Sequence, residues 1–348
     1  MPDSRSRFTR RSVLSLAVAG AASALPKLSA AGGGHRAIVV IHLMGGNDAN
    51  NLIVPLDDGP YARYARTRGE LALASGSLLP VKTLRGDRTY GFHPAIPELR
   101  DLYSQGQLAV VANVGARTRP STGGLDSFTY VRGAFAMPRW ADAGGILEER
   151  VVGFEETGVA VLPLGRSNAG RDTGWKRAMG TARAPQVPAS FPDTGMGRAL
   201  QHVAGMIASQ DGPSVYFASM GGFATLSNQL TQQEALLRTL SESLGAFYRS
   251  LLELGAANRV TTVTDSEMGR SAFPNKSHGS GPGWGTHHLV LGAAVQGGHI
   301  HGEIPDLSAA ALESDGALVP TTDRSQYEAT LHGWLHSRRP VTSLDFLA

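Results

Sequence analysis

Aspartate, glutamate and histidine in the sequence gather at a few glycine-bounded turns, and these residue types bind divalent cations or move protons. Asp48 follows an apolar run and two glycines, Gly45 and Gly46, which let a backbone turn tightly and approach a ligand closely. A carboxylate there can hold a hard cation, or Asn47 and Asp48 can form an Asx turn or a helix cap. Asp265, Ser266, Glu267 and Arg270 form a second cluster. In it Glu267 suits a metal ligand or acid/base and Arg270 an oxyanion clamp, unless the two pair to hold the loop. His287 and His288 are adjacent, so in an extended segment only one can face a given site, and either metal binding or a structural role remains open. His299 and His301, two apart, can share one face of a short strand.

Three common catalytic signatures are absent: the Gly-x-x-x-x-Gly-Lys-Ser/Thr phosphate loop, the His-Glu-x-x-His helix and the Gly-x-Ser-x-Gly nucleophile elbow. With no cysteine, the chain has no disulfides, thiol nucleophile, zinc-cysteine site or iron–sulfur cluster. Aspartate, glutamate and histidine are the metal-ligand types left.

The elements that must position these residues follow from hydrophobic patterning. The 348 residues, 42% hydrophobic and 18% charged, suit a folded chain with a sizeable core. Residues 37–43 form a continuous apolar run ending at the glycines, which predicts a buried strand. Similar runs at 108–114, 159–164, 214–219 and 260–264 predict further strands, and patterns of 3–4 residue spacing predict helices over 95–105, 196–209 and 229–254. Alternating strands and helices predict an α/β fold with a mostly parallel central sheet covered on both faces. Ligands in such sheets bind beyond the carboxyl ends of the strands, which puts 44–52, 114–125, 220–229 and 264–288 at the expected site.

The isoelectric point of about 9.3 invites a nucleic-acid or membrane-surface role. Arg5, Arg7, Arg10, Arg11 and Lys27 against Asp3, however, give residues 1–30 a charge of +4, so the net +3 leaves −1 for the rest. No nucleic-acid partner is therefore expected. Thr9-Arg10-Arg11-Ser12, then an apolar run to Leu25 and small residues, resembles a twin-arginine export signal. About 13 apolar residues are too few for the ~20 that span a bilayer. The expectation is a signal over 1–30, no stable membrane anchor after its removal, a periplasmic or secreted protein, and a single domain over 31–348 with insertions near 117–140 and 166–193.

Several pieces in collinear order carry a wider resemblance. They are Ile41-His42-Leu43-Met44-Gly45-Gly46-Asn47-Asp48, Phe92-His93-Pro94-Ala95 and Leu108-Ala109-Val110-Val111. Further along come Gly221-Gly222-Phe223 with Ser227-Asn228-Gln229, then Thr264-Asp265-Ser266-Glu267-Met268-Gly269-Arg270 and Gly298-His299-Ile300-His301-Gly302. From about residue 36 to 335 the chain resembles a large bacterial family of unknown function, exported by the twin-arginine route and related to sulfatases and alkaline phosphatases. The resemblance implies an alkaline-phosphatase-like α/β fold in which strand-end aspartates and histidines bind one or two divalent metals that stabilise a phosphoryl or sulfuryl transition state. It places Asp48 at the family's first strand-end aspartate and Glu267 at its acidic position before Gly-Arg.

The departures are specific. Where the family reads Gly-Phe/Trp-Asp-Thr-His, this chain has Ala224 and Leu226 for the Asp and His, and where it reads Ser-Asp-His-x-Trp-Gly, Gly281 and Pro282 replace a second pair. The middle segment, which in the family supplies another histidine, has none between His93 and His202. Sliding the loop lets His278, His287 or His288 stand in for the second pair and leaves Ala224 and Leu226 unexplained. A divalent site needs about three or four protein ligands. Two readings follow. In one, the chain is a non-catalytic envelope binding or assembly module with an envelope partner or a small anionic ligand. In the other, it is a phosphate or sulfate ester hydrolase holding one divalent metal through Asp48, Glu267 and His287 or His288, with Arg270 as clamp and Ser266 or Thr286 as nucleophile.

Overall fold

The computed structural model describes residues 35–84, 88–119, 157–163, 187, 189–209, 214–337 and 344–347. The export signal expected over 1–30, and most of the insertions expected near 117–140 and 166–193, lie outside the described residues.

The apolar run at the start becomes β1 (Ala37–Leu43), buried at every position. Successive side chains of a strand point to opposite faces. Val39, Ile41 and Leu43 accordingly enter one core and Ile38 and Val40 another. The other strands of the large sheet are β5 (Leu108–Gly115), β6 (Thr157–Pro163), β7 (Ser214–Met220), β8 (Val260–Asp265), β11 (Thr286–Leu291), β12 (Ile300–His301) and β13 (Thr322–Asp323). Their order is β12-β5-β11-β8-β1-β7-β6, with β13 also on β5. β1 pairs in parallel with both β7 and β8. β11 runs antiparallel to β5 and β8, and β6 antiparallel to β7, so the sheet is mixed where a mostly parallel one was expected.

Helices cover both faces. α2 (Pro97–Ser104), α3 (Gly195–Ser209) and the long α4 (Gln229–Glu253) lie over one. Leu237, Leu240, Leu244, Phe247 and Leu251 of α4 recur at helical spacing and share the first core with α2 and α3. On the other face α5 (Arg324–Leu335) contributes Tyr327, Leu331, Trp334 and Leu335 to the second core. A smaller antiparallel sheet, β2 (Ile53–Pro55), β3 (Leu79–Lys82) and β4 (Thr89–Phe92), packs beside α1 (Asp58–Arg68), and β9 (Arg270–Pro274) with β10 (Ser280–Pro282) forms a hairpin beyond β8.

The arrangement β8-β1-β7 decides where the chemistry sits. These three strands are parallel neighbours, and their carboxyl ends bring together 44–51, 221–229 and 265–270.

Candidate functional site

Asp48 caps a short 3-10 turn, Ala49–Asn51, its Oδ1 accepting from Asn50 N at 3.2 Å and Asn50 Nδ2 at 2.9 Å. Its Oδ2 accepts from the guanidinium of Arg68, at the end of α1, and from Gln229 Nε2, at the start of α4. Gln233, one turn further along α4, donates to the Asp48 carbonyl at 2.6 Å. A carboxylate has about four acceptor sites, so four donors fill it. Arg68 is itself fully buried and spends its other nitrogens on Asn51 Oδ1 and the Ser271 and Ala272 carbonyls, each at 3.2 Å. Tyr64, whose hydroxyl donates to Asn51 Oδ1 at 2.9 Å, is pushed up to about 12 by burial and keeps its proton.

Glu267 belongs to a second network. Its Oε1 accepts from Gly45 N at 2.7 Å, and its Oε2 lies 3.7 Å from His42 Nε2. The other ring nitrogen of His42 is 3.0 Å from Asp265 Oδ2, Asp265 Oδ1 accepts from Arg324 at 2.8 Å, and Arg324 pairs with Glu328 at 2.7 Å. Acidic and basic side chains thus alternate from α5 to the end of β1. Register places His42 beside Asp265. Sequence reasoning passed over His42, Arg68 and Arg324; the available signal for His42 was a lone polar residue one place before the end of an otherwise apolar strand.

Ser266 accepts from Asn47 N at 3.0 Å and donates to the Leu43 carbonyl at 2.8 Å, so its hydroxyl joins two strand ends. Arg270 is buried between the two networks and donates to the Ser280 carbonyl and, at 3.4 Å, to the Gly45 carbonyl. Burial pushes its pKa down, and the Asp48 and Glu267 carboxylates oppose that shift.

The two adjacent histidines part company. His287 Nδ1 accepts from Asn113 N at 2.9 Å, on the β5 side. His288 stacks on Tyr327 of α5, ring centroids 5.1 Å apart, near Asp265 and His42. Burial lowers both to about 4, so both are neutral at pH 7. Of the expected metal ligands, Asp48 therefore sits with Arg68, Glu267 with His42, His288 beside that second network, and His287 apart on the β5 side. Among the described residues no group of three or more histidine, aspartate or glutamate side chains is disposed to hold a metal ion. At Asp48 itself the acceptor capacity is taken by a permanent cation and two amides, which leaves that carboxylate no lone pair for a divalent ion.

The loop after β7 closes over the strand ends. Phe223 N donates to the Met44 carbonyl at 3.1 Å, and Gly45, at φ +107°, lies so close that a Cβ there would come within 2.5 Å of Ala224 N. Gly45→Ala is expected to cost on the order of 3 kcal/mol through clash and backbone strain, read as a lower urea midpoint at unchanged slope. Ser280 N donates to the Thr225 carbonyl at 3.2 Å. The segments carrying Ala224 and Leu226 and carrying Gly281 and Pro282 are thereby neighbours, so four of the departures from the resemblance fall in one place.

No curated protein matches the chain. Over residues 178–321 it is similar to a family described as a protein of unknown function (DUF1501), a stretch that holds Glu267, Arg270 and both histidines of β11 while Asp48, Arg68 and His42 precede it.

Proposed function

We propose that the protein is a non-catalytic binding or assembly module of the bacterial envelope, built on an alkaline-phosphatase-like scaffold and exported by the twin-arginine route to the periplasm or beyond. The observation that carries this reading is the saturation of Asp48 by Arg68, Gln229 and Asn50. A buried guanidinium supplies, as part of the chain, the positive charge that a carboxylate at this position would otherwise draw from an ion. The gathering of Ala224, Leu226, Gly281 and Pro282 supports the same reading, since these four replaced positions belong to one locality. The closed strand ends then serve as a rigid frame, and recognition falls to surfaces around them.

The test is metal content and turnover together. Purified protein incubated with zinc, manganese and calcium is expected to retain less than one equivalent by elemental analysis and to hydrolyse aryl phosphates and sulfates no faster than buffer. One equivalent of metal, with turnover abolished in Asp48→Asn, would instead establish the reduced one-metal hydrolase.

A further inference from the structure

The last turn of α5 carries two histidines that belong to neither strand-end network. His332 and His336 are four residues apart, and His336 N donates to the His332 carbonyl at 3.2 Å, so the helical turn runs through both. Residues at that spacing lie on one face of a helix, one above the other. The two rings meet there, their centroids 4.5 Å apart and their planes at 53°. Both residues are half-buried, so the face they share reaches solvent. Trp334, two residues from each, points to the opposite side of the helix, and the Arg36 guanidinium stands there, 5.1 Å over its ring.

Two imidazoles four residues apart on a helix can chelate one ion, and imidazole suits zinc, copper and nickel. The distance between the rings discriminates among these. A metal–nitrogen bond of ~2.0 Å puts each ring centroid roughly 3.2 Å from a shared ion. Two such rings stand roughly 4.5 Å apart when the angle at the ion is a right angle, and roughly 5.2 Å apart when it is tetrahedral. The observed 4.5 Å matches the right angle, which Cu(II) and Ni(II) prefer and zinc does not. Copper is the tighter of the two in the Irving–Williams order. The end of α5 adds the negative pole of the helix dipole, which favours a cation in the last turn.

We propose that His332 and His336 together bind one Cu(II) ion, each through one ring nitrogen, with water in the remaining positions. Zinc, which takes a tetrahedral ligand set, is held more weakly by this pair. The assignment rests on α5 alone and stands whichever reading of the strand-end networks holds.

Copper titration of the untagged full chain at pH 7.4, followed by electron paramagnetic resonance, tests it. One equivalent is expected to bind with a signal split by two imidazole nitrogens, and zinc to compete at least about tenfold less well. The affinity for copper is expected to fall at least about tenfold in His332→Gln and in His336→Gln, with circular dichroism checking that each variant is folded. Should a variant fail to fold, the resonance signal of the unaltered chain decides. A signal without imidazole nitrogens, copper uptake undiminished in either folded variant, or zinc displacing copper at equal concentration would overturn the proposal.

Discussion

Arg68→Met is expected to lower the unfolding free energy by about 3–5 kcal/mol, the usual cost of leaving one member of a buried ion pair uncompensated. Arg68 and Asp48 are 0% and 1% exposed at their side chains, so water cannot replace the lost guanidinium. The same guanidinium holds the Ser271 and Ala272 carbonyls of β9, so α1, the Asp48 turn and the β9–β10 hairpin loosen together. Urea unfolding followed by circular dichroism reads the change. Adding Asp48→Leu to Arg68→Met should recover a large part of it, because an apolar pair carries no buried charge. A loss below about 1 kcal/mol in the single variant would mean that Asp48 is held by its amide donors alone.

Acid should destabilise the fold well before its carboxylates protonate. His93, His287 and His288 each have a pKa near 4 in the folded chain against 6.5 when free, in every case chiefly because burial penalises the charged ring. Glu234 and Asp48 pull His93 upward against Arg238, and Asp265 does the same for His288 against His42. Between pH 6.5 and 4 the unfolded chain binds more protons than the folded one, so stability is complete above 6.5 and drains away as pH falls. At pH 5 each histidine contributes about 2 kcal/mol of this loss, about 6 kcal/mol for the three. Denaturant titrations at pH 7.5 and 5 measure it, and His288→Phe, which keeps a ring against Tyr327, should remove about a third. Equal stability at the two pH values would show that these rings titrate alike in the folded and unfolded chain.

Which parts of this were legible from residues alone follows from what kind of information each part is. β1, β5, β7 and β8, and helices α2, α3 and α4, announce themselves as apolar runs or 3.6-residue periods, because a buried strand or an amphipathic helix must be built that way. The mixed sheet was not legible: the direction of β6 and β11 is set by where their connections lead, and β11 begins at the end of the 264–288 stretch, where no strand was expected. The carboxyl-end rule named 44–52, 114–125, 220–229 and 264–288 as strand-end loops, and β8-β1-β7 brings the first, the third and the start of the last together, whereas the pairings among their side chains were not legible. Arg68 sits in a polar helix and reads as a solvated charge until tertiary packing buries it against Asp48. The split of His287 from His288 was foreseeable from strand alternation, whereas the register shift between Thr286 and His288 was not.

The place of β1 in the sheet limits how this chain can be cut. β1 lies between β7 and β8, and both of its neighbours fall within the family-matched stretch 178–321, whereas β1 does not. A fragment cut to that stretch would lose its middle strand, leaving β7 and β8 with facing rows of unpaired backbone groups and an open apolar cleft between them, the configuration that recruits other chains and aggregates. The matched segment and the 37–43 strand thus share one sheet, and a dissection that keeps the sheet's parallel centre has to carry both.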